Sequence, residues 1–369
     1  MNEINLKEKI VLIIPSMRNG GSERVMSELA NSWCRKENIE VFLILLTNQE
    51  IFYEIDSRVK VVTPKKKYKK NILSKIFYKL WILYYIRFTC MNIKTKTVLS
   101  FNERYNNIVL LALLFTKFKI FVSDRNNPFM NIGKVHHFLR NILYRNISGV
   151  IAQTKTAKKV LSTNTKNKNI RVIPNPLRKI NSVNKHINSN SKKVILNVGR
   201  NVPQKNQLEL LEIFSKCNYQ NWELKILGNG PLHQELIAKI KELNLQQHVQ
   251  ILGFSKDVDT FYSEANVFAF TSLYEGFPNA LIEAMAHGLP CVSYDCPTGP
   301  GEVIIDNVNG CLVDLSDEIQ FQEKLNNLMN SEALREAFSK EAKKVKEKYS
   351  LKIITDKYLN FILEDEINY

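Results

Sequence analysis

The chain has 369 residues, enough for two domains of ordinary size, and 44% of them are hydrophobic. Its 24% charged residues, 13 Gly and 11 Pro exclude a disordered, collagen-like or low-complexity protein. The six cysteines are scattered, without a CxxC pair or a nearby His at zinc spacing, which argues against disulfides or zinc and fits a reducing compartment. The N-terminus is unlike a signal peptide, and no apolar stretch approaches the roughly 20 residues of a spanning helix. We therefore expect a cytoplasmic protein, either soluble or bound at a membrane surface.

The positive charge is concentrated in the first half of the chain. The formal net charge is +16, of which residues 1–180 carry +22 and residues 181–369 carry −6. No acidic residue occurs between Ser57 and Asn102. An evenly basic nucleic-acid binder would differ from this, and no RNP, KH or helix-turn-helix pattern is present.

Residues 64–96 combine a lysine cluster with aromatic and aliphatic residues at helical spacing. Such a cationic helix is suited to lie on an anionic bilayer, where each Lys contributes about 1 kcal/mol. The alternative is a helix packed on the core with a solvated basic edge. The pattern favours the membrane, so we predict peripheral association with the inner face of the cytoplasmic membrane.

Strand and helix patterns alternate along the chain, which predicts an α/β protein with parallel sheets. The first series covers an N-terminal, acceptor- and membrane-facing domain (residues 1–175), and a second covers a nucleotide-sugar-binding domain (193–350). Between them, the polar residues 176–192 read as a linker. We expect two Rossmann-like domains facing a cleft, with ligands beyond the carboxyl ends of the strands. The predicted strands are 10–15, 41–46, 59–62, 97–101, 120–123, 149–152 and 170–173, then 194–198, 223–227, 249–252, 267–270 and 290–293.

Two of the loops after strands carry residues suited to bind phosphate. Gly20 and Gly21 follow the first strand and precede a helix, where backbone N–H groups can approach a phosphate or sugar. The alternative is a tight turn with Ser22 capping the helix. Arg200 and Lys205 flank the loop after the first strand of the second domain, and two converging cations suit a diphosphate. Solvated surface charge is the other interpretation.

The loop after strand 267–270 is the richest in polar and turn-forming residues. Glu275 lies in this loop and Glu283 lies two helical turns further on, and carboxylates that accept hydroxyl protons suit sugars and riboses. The alternative is that they are a capping acid and a surface acid. The turn and helix entry between them contain Gly276, Phe277, Pro278 and Asn279.

After the next strand, Thr298, Gly299 and Gly301 can present N–H groups to an anion at a helix N-terminus. The sequence Asp257-Val258-Asp259 spells DxD, a sign of metal binding. Two acids also fit the first turn of a helix, and the cations already named supply the charge, so we expect neither a metal nor a cofactor.

Taken in order, these motifs resemble the donor site of family 4 glycosyltransferases, which have the GT-B fold. The resemblance rests on the block EGFPNALIE followed by AMAHGLPCV and CPTGPGE, with GGSER and GRNVPQKNQ upstream. The resemblance covers nearly the whole chain. It also implies that a last helix, about residues 351–363 within a C-terminal segment 351–369, packs back across the domains.

The resemblance implies a role for each donor-side residue. Glu275 would contact the hydroxyls of the donor sugar, and Glu283 would bind the ribose. Arg200 and Lys205 would neutralise the donor diphosphate, in a pocket lined by Gly299 to Gly301.

On the acceptor side, Gly20 and Gly21 would approach the donor phosphate and the acceptor. Much of the family has a His or Glu after the strand that here ends at Ser123. This chain has Asp124 and Arg125 there, and an acceptor-side role carries over to them.

The resulting hypothesis is a retaining transfer of a hexose or N-acetylhexosamine from a nucleotide-diphospho-sugar to a lipid-diphosphate-linked glycan. The expected nucleotide is UDP, with GDP left open as the alternative. The resemblance implies retention, a leaving phosphate that takes the acceptor proton, and a place in surface polysaccharide biosynthesis. The alternatives are a UDP-sugar 2-epimerase on the same scaffold and a non-catalytic membrane-bound binding module. A dinucleotide oxidoreductase is disfavoured, because the GxGxxG motif and the ribose-binding acid are missing.

Overall fold

The computed structural model describes residues 7–65, 72–180 and 192–364, and of residues 72–76 only the backbone. The chain divides into two compact units. The N-terminal unit comprises residues 1–176 and 351–369, and the C-terminal unit comprises residues 177–350. Most of the predicted linker (181–191) and of the lysine cluster (66–71) lies outside the described residues.

The N-terminal unit contains a seven-stranded parallel sheet. Its strands are β1 (Glu8–Ile14), β2 (Ile39–Leu45), β3 (Lys60–Val62), β4 (Thr97–Phe101), β5 (Lys119–Ser123), β6 (Gly149–Ala152) and β7 (Ile170–Val172). They lie in the order β3-β2-β1-β4-β5-β6-β7, the doubly wound arrangement with its switch point between β1 and β4. The connecting helices are α1 (Gly21–Trp33), α2 (Ile72–Ile93), α3 (Glu103–Ala112), α4 (Lys134–Leu143) and α5 (Lys155–Thr165).

The C-terminal unit contains a six-stranded parallel sheet in the order β10-β9-β8-β11-β12-β13. Its strands are β8 (Lys193–Val198), β9 (Trp222–Leu227), β10 (Val249–Gly253), β11 (Val267–Phe270), β12 (Cys291–Tyr294) and β13 (Cys311–Val313). Its helices are α6 (Gln207–Ser215), α7 (His233–Glu242), α8 (Val258–Glu264), α9 (Asn279–Ala286), α10 (Pro300–Val303), α11 (Glu318–Asn330), α12 (Glu332–Ala342) and α13 (Val345–Lys348).

Strand β1 shows why both faces of the first sheet need helices. Alternate side chains of a strand point to opposite faces. Ile10 and Leu12 pack into the core on the side of α1, whereas Val11 and Ile13 pack into the core on the side of α2 and α3. The last helix, α14 (Leu351–Leu363), completes the first of these cores.

The predicted fold class is confirmed. All twelve strands expected from the sequence are present, and their bounds differ from the predicted ones by at most two residues. Helix α14 packs against α1 and β4. The short strand β13 was not expected from the sequence.

Candidate active site

The loops after β8 and β11 lie side by side at the carboxyl edge of the second sheet. The Leu273 amide donates to the Gln204 carbonyl at 2.9 Å, and the Gln204 side-chain amide donates to the Tyr274 carbonyl at 2.7 Å. The Thr271 hydroxyl donates to the Lys205 carbonyl at 3.0 Å. These bonds fix the loop that carries Lys205 against the loop that carries Glu275.

Lys205 and Glu275 form an ion pair. The Lys205 ammonium lies 2.5 Å from a carboxylate oxygen of Glu275, and it also lies 5.3 Å from the centre of the Phe270 ring. Glu275 is 6% exposed, so neither a capping acid nor a solvated surface acid describes it. Within the described part of the chain, Arg200 is exposed and makes no ion pair. Arg200 is therefore available to an anion, whereas Lys205 is already partly neutralised.

The loop after β12 meets the Glu275 loop through a residue that has to be glycine. Gly299 has a φ of +108°, and a Cβ there would lie 2.6 Å from Pro278 Cδ. The Thr298 hydroxyl donates to the Glu275 carbonyl. Gly301 lies in α10, where a Cβ would lie 2.6 Å from an Asp295 oxygen. The backbone around Gly299 is thus held directly beside the Glu275 turn.

The other residues of the Glu275 turn have structural contacts. Gly276 and Pro278 lead into α9, which begins at Asn279. Phe277 is buried, and its ring packs edge-on against Tyr349 with centroids 5.9 Å apart. This packing holds the turn in place.

Glu283 lies in α9 and is held by Arg178. The Arg178 Nε lies 3.1 Å from Glu283 Oε2, and its two terminal nitrogens bind both oxygens of Asp259 at 2.7 and 3.0 Å. The buried Tyr262 hydroxyl also reaches Glu283 Oε2 at 3.5 Å. Burial acts to lower the pKa of Arg178, but Asp259 and Glu283 outweigh burial and raise it. One carboxylate oxygen of Glu283 is therefore held in place by two neighbouring side chains.

The DxD sequence is used for helix capping and ion pairing. Asp257 caps α8 by accepting from the Thr260 amide and hydroxyl, as the helix-turn interpretation predicts. Asp259 is 2% exposed and, besides Arg178, lies 3.0 Å from His287 Nε2. Across residues 7–65, 72–180 and 192–364, no three His, Cys, Asp or Glu residues are grouped so that they could hold a metal ion.

In the N-terminal unit, helix α1 begins at Gly21, after the six-residue loop 15–20 that follows β1. Gly20 is its N-cap, and no side chain caps it, so Ser22 is not a capping residue. The first N–H groups of a helix lack partners within the helix, and they suit an anion. A Cβ at Gly20 would lie 2.3 Å from a carboxylate oxygen of Glu23. Burial raises the pKa of Glu23 above its usual value.

Asp124 and Arg125 follow β5 but point into the interior of the N-terminal unit. Asp124 accepts from the Tyr144 hydroxyl at 2.7 Å and from the Asn106 amide at 3.2 Å. Burial, reinforced by the charge of Glu103, raises the pKa of Asp124 to about 7.

Arg125 stacks over the Phe101 ring at 4.5 Å and donates to the Tyr358 hydroxyl at 2.8 Å and to Asn175. These contacts give Asp124 and Arg125 a structural role. An acceptor contact by either residue stays a prediction.

Helix α2 has apolar residues on both sides. The sequence of residues 64–96 predicts either a membrane-surface helix or a core-packed helix with a basic edge, and α2 combines features of both. Ile82, Ile86 and Cys90 are buried in the core. The opposite side exposes five large apolar side chains at helical spacing, each more than half exposed: Phe77, Leu80, Tyr84, Phe88 and Met91. The helix is therefore core-packed and also presents an apolar stripe. None of the helices in the described parts of the chain is long and apolar enough to cross a bilayer.

Sequence reasoning did not find two groups of residues near the carboxyl edge of the second sheet. One is Arg178 with Asp259, which are 81 residues apart and give no local signal. The other is the β9 loop, where a Cβ at Gly228 would lie 1.8 Å from the Gly199 carbonyl and one at Gly230 would lie 2.3 Å from the Asn201 carbonyl. The sequence GNGP after a strand could have indicated this close approach of two loops.

Comparison with known proteins assigns the class. Residues 179–345 match the family model described as Glycosyl transferases group 1. The chain is 32% identical over 357 residues to the amylovoran biosynthesis glycosyltransferase AmsD of Erwinia amylovora, covering 95% of this chain and 98% of that protein. It is 30% identical to a Campylobacter jejuni N-acetylgalactosamine-N,N'-diacetylbacillosaminyl-diphospho-undecaprenol 4-alpha-N-acetylgalactosaminyltransferase, covering 91% and 94% of the two chains.

Solved structures share the fold at lower identity. The lipopolysaccharide outer core galactosyltransferase WaaB superposes with a TM-score of 0.76 at 20% identity, over 96% of this chain and 99% of that one. Anabaena HepE in complex with UDP superposes with a TM-score of 0.75 at 16% identity, over 96% and 98%. The protein belongs to the group 1 glycosyltransferases, and it is similar to bacterial enzymes of polysaccharide biosynthesis. The resemblance in its donor-site motifs is thereby confirmed.

Proposed function

We propose that this glycosyltransferase transfers a hexose or N-acetylhexosamine from a UDP-sugar to a lipid-diphosphate-linked glycan in surface polysaccharide biosynthesis, with retention of configuration. The observation that carries the proposal is the grouping of Lys205, Glu275 and Gly299 on adjoining loops at the carboxyl edge of the second sheet, in a chain of this family.

The charges at this edge suit departure of a nucleoside diphosphate. Arg200 and Lys205 are proposed to stabilise the negative charge that develops on the leaving diphosphate, which lowers the barrier because the charge grows in the transition state. The amides around Gly299 add donors to the same anion. These groups supply the charge that a metal would otherwise provide, so we propose a metal-independent enzyme with no cofactor.

The carboxylates suit the neutral parts of the donor. Glu275 is proposed to loosen its ion pair with Lys205 and to accept hydrogen bonds from the hydroxyls of the sugar. Glu283 keeps Oε2 on Arg178, so its other oxygen is the one proposed to accept from the ribose. The leaving phosphate itself is proposed to take the acceptor proton.

Relatives support the choice of donor and acceptor. Anabaena HepE has been solved with UDP, and the Campylobacter jejuni relative is named for a diphospho-undecaprenol-linked acceptor. An acceptor of that kind lies at a membrane. The exposed apolar stripe of α2, together with the lysines of residues 65–70, is proposed to hold the enzyme at the inner membrane surface.

The proposal is tested by incubating the full chain with a panel of UDP- and GDP-sugars and a synthetic lipid-diphosphate glycan. Mass spectrometry should detect one added sugar from a UDP donor, in EDTA as well as in Mg²⁺, and NMR should show the donor's anomeric configuration in the product. Conversion of a UDP-sugar to its 2-epimer without acceptor would favour the epimerase instead. Donor binding without turnover on any acceptor would favour a binding module.

A further inference from the structure

Helix α4 turns the charged Arg140 inward and three large apolar side chains outward, while Leu143 packs against the core. Arg140 is 2% exposed, and His136 and His137 are half-buried, whereas Val135, Phe138 and Ile142 are 69%, 65% and 54% exposed. These three residues, here called the α4 face, follow each other at steps of three and four and so lie on one side of the helix. A surface helix of a globular protein shows the opposite arrangement.

The inward side is explained by the polar interior beneath it. Arg140 lies 3.6 Å from the carboxylate of Asp124, and the Asn107 amide donates to the His136 carbonyl at 2.9 Å. His137 accepts from the Ile132 amide at 3.3 Å. These contacts fix the rotation of the helix, so the α4 face has to point outward.

Other exposed apolar side chains lie on elements near the α4 face. Phe129 and Met130, in the loop before α4, are 58% and 45% exposed. Helix α3 packs against both α4 and α2, so the α4 face and the apolar stripe of α2 belong to helices on one side of the same sheet. Several large exposed apolar side chains on neighbouring elements indicate an interaction site.

The surrounding charge selects the kind of partner. Between Arg58 and Pro176 the only acidic residues are Glu103 and Asp124, and both are buried. Lys134 and Arg145 are exposed at the two ends of α4, and Arg104 is exposed on α3. A second copy docked through the same face would oppose cations to cations, whereas an anionic bilayer accepts both the apolar side chains and the cations.

We propose that the α4 face inserts into the anionic membrane surface as a second contact, beside the α2 stripe. The inference rests on the proposed membrane association of this enzyme and extends it to a helix that begins ten residues after Asp124. Two contacts on neighbouring helices fix the orientation of the N-terminal unit on the bilayer, which one amphipathic segment alone does not do.

The test uses the full chain and vesicles of phosphatidylglycerol and phosphatidylethanolamine. Phe138→Gln with Ile142→Gln should lower vesicle partitioning about tenfold or more, since two large apolar side chains no longer leave water. The matched control is Phe254→Gln with Ile319→Gln, which removes two equally exposed apolar side chains from the C-terminal unit and should leave partitioning unchanged. All four positions are exposed, so circular dichroism and UDP binding should match the parent.

A direct readout comes from Phe138→Trp. Its fluorescence, after subtraction of the parent's, should shift to the blue on adding vesicles and be quenched by brominated lipid. If the parent binds vesicles, unchanged partitioning of the double Gln variant, together with no blue shift and no quenching in Phe138→Trp, would overturn this inference alone. A parent that does not bind vesicles would overturn the proposed membrane association as well. A parent that is dimeric without lipid, and becomes monomeric in the double variant, would assign the α4 face to a second copy and overturn the inference.

Discussion

The ammonium of Lys205 and the carboxylate of Glu275 lie 2.5 Å apart, although they come from loops 70 residues apart in the chain. Both side chains are largely buried. A buried ion pair is costly to break from one side, because the remaining charge loses its partner. The pair therefore keeps two groups that are proposed to bind the donor in place and gives each a stabilising partner.

Glu275→Ala should lower turnover at least about a hundredfold, because an interaction proposed to strengthen in the transition state is removed. The fold should remain, with a lower melting temperature from the unpaired Lys205. Initial rates with a saturating UDP-sugar, together with circular dichroism, check both statements. Glu318→Ala, which breaks an exposed Lys216 pair, is the control. Normal turnover of Glu275→Ala with bound donor would contradict the sugar-contacting role.

Arg200→Ala combined with Lys205→Ala should weaken UDP binding about a hundredfold, since two charge-assisted contacts to the diphosphate are lost. Calorimetric titration with UDP and with uridine distinguishes the loss of diphosphate contacts from a general disturbance of the site. Uridine lacks the diphosphate and should bind parent and variant alike. Lys216→Ala, on the exposed end of α6, serves as the matched cation control. An unchanged UDP affinity would exclude this pair as the diphosphate site.

Arg178→Gln should lower UDP affinity about tenfold through Glu283, because the carboxylate loses the charged hydrogen bond that orients it. The affinity for pyrophosphate should not change, since Arg178 is proposed to act through Glu283 on the ribose side. Arg178→Lys should recover part of the UDP affinity. Arg171→Gln, which breaks an exposed pair with Glu364, should change neither affinity. A parallel loss of UDP and pyrophosphate affinity would mean that the substitution disturbs the whole unit.

Asp124→Asn should flatten the dependence of stability on pH. Burial raises the folded-state pKa of Asp124 to about 7, well above that of the unfolded chain, so the folded state holds this proton more tightly. Its contribution to stability is fully present in acid and is lost as pH rises towards 7, by at most about 1.4 kcal/mol per pH unit. Denaturant unfolding of parent and variant from pH 5 to 8 measures the two slopes. Asp314→Asn, at an exposed position, is the control, and equal slopes for Asp124→Asn and the parent would refute the prediction.

Replacing the five lysines of residues 65–70 by Gln should weaken vesicle binding without changing UDP affinity, because each lysine near an anionic surface contributes about 1 kcal/mol. The loss should be large at low salt and small at high salt, where the attraction is screened. The control replaces five exposed lysines of the C-terminal unit, Lys340, Lys343, Lys344, Lys346 and Lys348. Equal flotation of both variants and the parent would show that the lysines of residues 65–70 do not contribute to membrane binding.

Much of the fold could be predicted because buried parallel strands have a simple signature. Runs such as Ile10–Ile14 are continuous and β-branched, and the segments between them have helical spacing. Strand β13 was missed because its three residues, Cys311 to Val313, are too few to form a pattern. The four candidate loops could be selected because each follows a strand and contains glycine or charge, and three of them adjoin at the carboxyl edge of the second sheet.

What the sequence could not reveal depends on distant pairing and on helix rotation. The Arg178 partners are far away in the chain, so no spacing predicts that Glu283 is held from one side. For α4 the spacing predicts a helix but not which side faces the core. An amphipathic surface helix is usually assumed to face the core with its apolar side, which would place Phe138 inside. The buried polar contacts of Arg140 instead leave Phe138 exposed.

The N-terminal unit is built from two stretches of chain. Helix α14 supplies Ile354, Tyr358, Phe361 and Ile362 to its core, all at 1% exposure or less, and these residues follow the entire C-terminal unit in the chain. A fragment ending near residue 176 would lack them and leave the hydroxyl partner of Arg125 missing. Expression of this half by itself therefore requires that α14 be supplied as well, and during synthesis the N-terminal core can be completed only after the C-terminal unit has been translated.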